Sequence, residues 1–582
     1  MKLGYCNNIY LEVVLKTSVF VLVQLLPFVS IPRVVAQSIH KNTLEQPTTA
    51  YQVVVNSNQD YRQPDDDLTL REAIEIVNGT LKLEELSTTE KAQVEKLTTE
   101  KSSRIEFDLS PSATTIRLFD LLPPLASPGL IIDGTTQTGY ELDKSATAEI
   151  EIPIPVVAIT PAEQAEVFRG LTIVADHVVV RGLSLYGFTS QHRATVFTPP
   201  ADIFISHPLP PPNTTQQQPP ASYFPFRERD VPPKSIIIEN NWLGIPPDEK
   251  MPATASAFGV SVFNSLGTTI RRNRIAFHDG SGIITSVQAQ NLQVRENIIV
   301  GNGMAGMPDA IRLEGKINQT QIASNLICGN DGSGVYLFKP EGAVEIRDNQ
   351  IKYNGRRLRR AAIYLMGNDH QVMANQIGYQ TGPGVVIAAY PQSVRNLIQD
   401  NQFSAIEGLS IDLNTRHHVE ARDYQVGDGA NPMGNSRNRR QDTANGAVSA
   451  PQWLSPEFFK LQGQVNLDGI ADPGSQVDIY LVKEAGSQRG PLNEPLATVQ
   501  ADQQGKFAMT LTNLKPGSVV SAIATHPEYG TSEPALNTVV RAIGKPDNRE
   551  HLERLPAIAQ EWEVPQCTTK PVVVQLISKI KK

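Results

Sequence analysis

A six-residue phrase recurs seven times between Ile238 and Phe403: an apolar residue, two variable residues, Asn, one variable residue and a second apolar residue. It reads Ile238-Asn241-Leu243, Ile270-Asn273-Ile275, Val294-Asn297-Ile299, Ile322-Asn325-Ile327, Ile346-Asn349-Ile351, Val372-Asn375-Ile377 and Ile398-Asn401-Phe403. The Asn steps are 32, 24, 28, 24, 26 and 26 residues, a period that marks a solenoid. One such unit cannot bury its apolar side alone. Neighbours must therefore stack, and each Asn can then hydrogen-bond the equivalent corner of the next coil.

Each repeat carries a second signal, a small residue opening an apolar alternating strand: Gly282-Ile283, Ala310-Ile311, Gly334-Val335, Ala362-Ile363, Gly384-Val385 and Gly408-Leu409. No helix-length pattern separates the strands, so they stack in parallel by winding in one sense. The reading is an all-β chain whose centre, residues 105–413, is a single-stranded parallel β-helix. Short β-like runs at 105–109, 115–118, 130–133, 170–174 and 178–185 form its first coils, with Leu183 standing where the Asn later comes.

The flanks differ in composition. Residues 50–104 read as an N-terminal cap: a helix begins after Asp65-Asp66-Asp67, with Leu70, Ala73, Ile74 and Val77 on one face. Ser87 and Glu90 have capping-box spacing ahead of a second, charged helical stretch through Lys101. A Pro-rich insertion at 198–233 cannot donate ladder hydrogen bonds and must loop outward. Residues 414–456 lose the period and read as a linker. Residues 457–541 hold turn-punctuated strands spaced as in a small antiparallel β-sandwich, and 542–582 form a tail.

Composition narrows the class. The 582 residues are 40% hydrophobic and 19% charged, which is the balance of a folded chain. Residues 17–32 are uncharged and mostly apolar, and Val34-Val35-Ala36 follows, as in a secretory signal spanning 1–36. An uncleaved anchor is the alternative, but the run is shorter than a comfortable span of about 20 residues, so the mature chain carries no transmembrane segment. Export to the periplasm, cell surface or medium is expected. Cleavage moves the formal charge from −8 to about −10, which excludes a partner that needs a broad cationic surface, such as nucleic acid. Cys328 and Cys567 then remain, too few for a disulfide scaffold or a Cys-rich metal site, and their spacing leaves their pairing open.

With these residues in view, positions 50–540 resemble secreted right-handed parallel β-helix proteins of the pectin-lyase-like superfamily, particularly multidomain bacterial surface proteins. The resemblance rests on Leu68-Thr69-Leu70-Arg71-Glu72-Ala73-Ile74, on Leu130-Ile131-Ile132-Asp133-Gly134-Thr135-Thr136-Gln137, and on Val180-Arg181-Gly182-Leu183. Ala471-Asp472-Pro473-Gly474-Ser475 and Ala501-Asp502-Gln503-Gln504-Gly505-Lys506-Phe507 are similar to bacterial immunoglobulin-like modules. The superfamily includes lyases, hydrolases, epimerases and non-catalytic adhesins. The Asn-Thr-Asp, Gly-His-Gly and Arg-Ile-Lys motifs of its polygalacturonase-type hydrolases are absent, as is the Tyr-Gly-Phe-Asp-Pro-His of its alginate epimerases. The resemblance therefore assigns no catalytic residue.

Two constellations follow from the residues themselves. Asp279, Asp309 and Asp331 precede the second strand of three consecutive coils, close enough after stacking for acid/base work or a calcium site, with Arg312 nearby. Plain turn chemistry is the competing reading of Asp279-Gly280 and Asp331-Gly332. If Ile311, Val335, Ile363 and Val385 point inward, one outward row runs Ile284, Arg312, Tyr336, Tyr364, Val386, Ser410, and its neighbour runs Ser286, Glu314, Phe338, Met366, Ala388, Asp412. Tyr336, Phe338, Tyr364 and Met366 would make an apolar, aromatic patch beside Arg312 and Glu314, suited to sugar rings or to cover by another part of the chain. Arg356, Arg357, Arg359 and Arg360 form a basic knot nearby. The expected function is binding of a polysaccharide or another cell-envelope component, with no cofactor. The alternatives are a polysaccharide lyase or hydrolase using the carboxylates, and a structural spacer.

Overall fold

The computed structural model describes residues 49–98, 102–190, 198–209, 225–415, 425–484, 486–544 and 567–569. The expected leader, most of the Pro-rich stretch and the terminal apolar run lie outside the described residues. Three sheets run along the molecule: twelve strands from Val94–Lys96 to Leu397–Gln399, ten from Thr115–Leu118 to Gln402–Ile406, and nine from Arg169–Ile173 to Ile411–Leu413. Each full coil gives one strand to each sheet, as Thr269–Arg271, Arg274–Ala276 and Ile283–Gln290 do. The chain is a parallel β-helix, and its successive coils pair in parallel register.

The corner between the first and second sheets explains the repeated phrase. The residue before each ladder Asn is left-handed: Asn240, Arg272, Glu296, Ser324, Asp348, Ala374 and Asp400 have φ between 52° and 57°. That conformation costs a non-glycine residue about 1–2 kcal/mol. The Asn offsets it by satisfying the backbone groups that the corner takes out of the sheet ladders. Asn325 donates from Nδ2 to the carbonyls of Val294 at 2.9 Å and Ala323 at 3.0 Å, and its own N–H donates to Asn349 Oδ1 at 2.9 Å. The column runs unbroken from Asn241 to Asn401.

A second column stands five residues further along each coil. Asn302 donates to Asn330 and Asn330 to Asn354, again after left-handed residues, Gly301, Gly329 and Tyr353. His278 heads this column by donating from Nδ1 to Asn302 Oδ1 at 2.7 Å. Gln380 continues it, with Nε2 on the carbonyls of Ile351 and Gly378.

Inside, the apolar rungs form one continuous core, with Ile311, Val335, Ile363 and Val385 and their neighbours Leu313, Leu337, Leu365 and Ile387 all fully buried. Its first end is closed by the helix Leu70–Asn78, whose Thr69–Glu72 capping box and left-handed Gly79 fix both termini. Leu70, Ala73, Ile74 and Val77 join the core. The second helix expected through Lys101 is a single turn, Thr88–Lys91, after which Val94–Lys96 pairs antiparallel with Tyr51–Val55. A short charged strand there blunts an edge that would otherwise invite pairing with another chain. The start of the Pro-rich stretch also differs from expectation. Ala201–Ile205, which lies between Pro200 and Pro208 and contains no proline itself, is a fully buried rung between Arg169–Ile173 and Val260–Leu266.

The other end is closed by the C-terminal strands. Nine strands from Gln452–Trp453 to Thr538–Ala542 share one hydrogen-bonded network around a core containing Val465, Leu467, Val477, Ile479, Phe507 and Val520. This layer is a lid on the last coil rather than an appendage. It touches all three sheets: Ile398 donates to Thr531 Oγ1, Phe403 to the Leu492 carbonyl and Leu413 to Glu533 Oε1. Tyr480, Leu492 and Ile523 complete the β-helix core. Cys328 and Cys567 form a disulfide that returns the distal chain to the outer face of the second sheet, beside Trp242, Ile298 and Leu326. No helix among the described residues is long and apolar enough to cross a membrane.

Asn325→Ala leaves several buried backbone groups unpaired, each costing about 1–3 kcal/mol. We expect a loss of roughly 3 kcal/mol or more in equilibrium denaturation, against little change for Gln321→Ala on the half-buried rung beside it. Truncation after residue 450 should uncover the last coil and give self-associated material on size-exclusion chromatography.

Candidate functional site

The outer rows of the third sheet follow the strand pairing. Arg312 lies between Ile284 and Tyr336, Tyr336 pairs with Tyr364, and Glu314 pairs with Phe338. Tyr336 meets Tyr364 edge to face at 5.7 Å between ring centroids and Phe338 at 5.9 Å. The Arg312 guanidinium sits 4.9 Å from the Tyr336 centroid and 5.2 Å from that of Phe338 while pairing with Glu314. The expected neighbours are thus assembled. At the last rung the register differs, because Val386 pairs with Asp412 and Val385 with Ile411, so Gly408-Leu409 belongs to the preceding bend and Ser410 is outside the row.

The patch is not displayed as an open face. Tyr336, Tyr364 and Met366 are 3%, 2% and 1% exposed and cluster with Ala361, Val386 and Ala388. Strand alternation says which side chains leave the coil interior, but not what arrives from elsewhere. Here the chain beyond the last coil folds back. The Gln425 carbonyl accepts from Ala361 N–H at 2.8 Å, while its side chain accepts from Ser333 and Arg360 and donates to Asp309. What stays accessible is a rim: half-buried Phe338, exposed Lys339 and exposed Tyr390, with Lys339 Nζ 5.5 Å from both ring centroids.

The three aspartates separate into different roles. Asp309 is fully buried, accepts the Ser333 N–H at 3.0 Å, and lies 3.7 Å from Arg312 and 3.5 Å from Arg360. Burial pushes its carboxyl up and the two guanidiniums pull it back. Asp331 pairs with Arg357 at 2.9 Å and Arg356 at 3.8 Å. Asp279 is half-buried, makes no ion pair among the described residues, and is raised by desolvation. Two of the three carboxylates are therefore consumed as counterions. The basic knot is consumed with them, and Arg359 reaches Glu407.

The returning segment is held by two further carboxylates. Asp412 accepts the N–H groups of Asp428 and Gly429, at 3.3 and 3.0 Å. Glu533 accepts from Leu413 N–H at 3.2 Å, Asn431 N–H at 2.8 Å and Asn431 Nδ2 at 2.7 Å, so one side chain ties together the last coil, the returning segment and the C-terminal strands. Burial pushes Glu533 up to about 7 and Asp412 well above the usual carboxylate range, with Glu533 and Asp428 adding to the latter.

Sequence reasoning missed two sites. The second amide column was readable, since Asn302, Asn330 and Asn354 each follow a ladder Asn by five residues. The cluster in which Asp202 accepts from Ser256 and lies 2.8 Å from His278 Nε2 had no local signal, because its members come from separate coils. All three are fully buried and serve the interior.

Residues 234–435 match the family described as "Periplasmic copper-binding protein (NosD)", about a third of the chain. No curated protein matches significantly. Similar solved structures include the enzymatically active domain of bacteriophage CBA120 tailspike protein 2 (10% identity, 73% of this chain and 69% of that one, TM-score 0.35). PfbA, a surface adhesin of Streptococcus pneumoniae, shows 13% identity over 54% of this chain and 81% of its own, with a TM-score of 0.31. The periplasmic alginate epimerase AlgG shows 14% identity over 53% and 64%, with a TM-score of 0.30. At these values no residue role transfers.

The family description names copper, which needs a convergent set of nitrogen or sulfur donors. Among the described residues, no three His, Cys, Asp or Glu side chains converge as metal ligands. Within the matched span His278 heads the amide column, and His370, lowered to about 4 by burial, accepts from Val344 N–H and donates to the Met366 carbonyl. Cys328 is oxidised. His417 and His418 lie outside the described residues. The described donors do not fit a copper centre, nor do the arginine-paired aspartates fit a calcium site.

Glu533 makes the closure of the last coil depend on pH. Its folded value lies above that of a free carboxylate, so its contribution is fully present below about pH 4.5 and is lost as pH rises through about 7. Asp412, Asp428, Arg439 and Arg489 share its field. The thermal unfolding midpoint should fall between pH 5 and 7.5, and the fall should be smaller in Glu533→Gln.

Proposed function

We infer that the protein is exported and binds an envelope polysaccharide, or another component of the cell envelope, without transforming it. The observation that carries this reading is the rim of the third sheet, where Phe338 and Tyr390 flank Lys339 at 5.5 Å each, an arrangement that suits a sugar ring bearing negative charge. Export is supported by the disulfide, which persists in oxidising compartments, and by the periplasmic description of the family matched over residues 234–435. A binding rather than catalytic role is supported by the ion pairs that occupy Asp309 and Asp331. In this reading the C-terminal layer is an immunoglobulin-like module whose work is to cap the β-helix.

The test is a glycan array combined with binding to isolated envelope fractions. Phe338→Ala/Tyr390→Ala should lose binding about ten-fold or more with an unchanged unfolding midpoint. Tyr336→Ala/Tyr364→Ala should instead lose stability, by roughly 3 kcal/mol or more per site, because both rings are buried. Equal binding by the parent and the rim variant removes the rim from the proposal. Release of reducing or unsaturated sugar ends would overturn the non-catalytic reading.

A further inference from the structure

A concave site lies where the returning segment meets the C-terminal strands. The cavity holds about 480 Å³, within the usual range for small-ligand sites, and its lining includes Arg439, Arg489, Trp453, Gln452, Gln488 and Glu533. Three properties set its chemistry.

The first is charge. Neither arginine forms an ion pair among the described residues. Arg489 spends one N–H on the Pro534 carbonyl, at 2.7 Å, and Arg439 is directed at the carbonyls of Pro432, Ala447 and Val448. Desolvation lowers both guanidiniums, as expected of cations set into a wall without a counterion in contact. Glu533 does not fill that place, because its oxygens already take three N–H groups.

The second is shape with an apolar side. Trp453 packs edge-on against Phe458 and Phe507 while also lining the cavity, and Met433 and Leu536 stand exposed around the opening. The third is unused hydrogen-bonding capacity. The carboxamides of Gln452 and Gln488 make no hydrogen bond among the described residues, so both are available to hydroxyl groups. An aromatic wall, free carboxamides and two guanidiniums that no carboxylate among the described residues contacts together describe a sugar carrying a carboxylate.

We propose that this cavity is a binding site for an acidic monosaccharide unit of the uronate type, its carboxylate on Arg489 and its ring against Trp453. The site is separate from the rim of the third sheet and stands or falls independently of it.

Isothermal titration calorimetry of the full chain at pH 6, where Glu533 is largely protonated, tests it with glucuronate as ligand and with glucose and acetate as comparisons. Glucuronate should bind saturably, at least ten-fold more tightly than either comparison. Arg489→Gln should weaken it ten-fold or more, with Arg489→Lys intermediate. Gln488→Ala, which removes no internal hydrogen bond, should weaken it several-fold at an unchanged unfolding midpoint. The rim variant Phe338→Ala/Tyr390→Ala should bind glucuronate like the parent, which separates failure here from failure of the rim. Absence of saturable binding, equal response to glucose or acetate, or unchanged affinity in Gln488→Ala together with Arg489→Lys would overturn the assignment.

Discussion

A buried backbone group without a partner is the constraint around which this molecule is organised. A β-helix must turn a corner several times per coil, and every corner removes N–H and C=O groups from the sheet ladders while keeping them away from water. The asparagine column from Asn241 to Asn401 answers that at one corner, with each amide serving its own bend and those of adjacent coils. The column headed by His278 answers it at the next. Because the amides also contact one another, the columns hold the coils in vertical register, and the apolar rungs of the interior inherit that register.

A stack so built has two open ends, and they are closed differently. The first takes a short local device, the helix Leu70–Asn78, whose apolar stripe is laid directly on the first rungs. The second takes a whole layer of strands, which lends Tyr480, Leu492 and Ile523 to the core and hydrogen bonds to all three sheets. Between them the outer faces are dressed by chain returning from elsewhere: residues 425–431 along the third sheet, and the segment joined through Cys567 along the second.

That dressing decides where recognition can occur. Tyr336, Tyr364 and Met366 are buried, and Phe338, Lys339 and Tyr390 stay at the margin. The returning segment also lends Asn431, Pro432 and Met433 to the cavity that brings Arg439, Arg489 and Trp453 together, which no single coil could supply. Asp309 meets Gln425 only once the chain has doubled back, whereas Arg312 and Arg360 reach it from its own coil and a nearby one.

The seven-fold phrase and the small-residue strand signal together determined the parallel β-helix, the inward rungs from Ile311 to Val385 and the neighbours in the outward rows, down to the pairing of Arg312 with Tyr336 and of Tyr336 with Tyr364. These are legible because corner chemistry and strand alternation are local and repeat at a fixed spacing. The last rung slipped from its expected register at Ser410 because a bend of different length entered without disturbing the apolar pattern before it. Exposure of the aromatic row, the counterions of Asp309 and Asp331, the Cys328–Cys567 bond and the cavity around Arg489 were decided only by the tertiary structure. Each depends on a contact between segments tens to hundreds of residues apart, and nothing in the local pattern of either segment encodes where the other will come to rest.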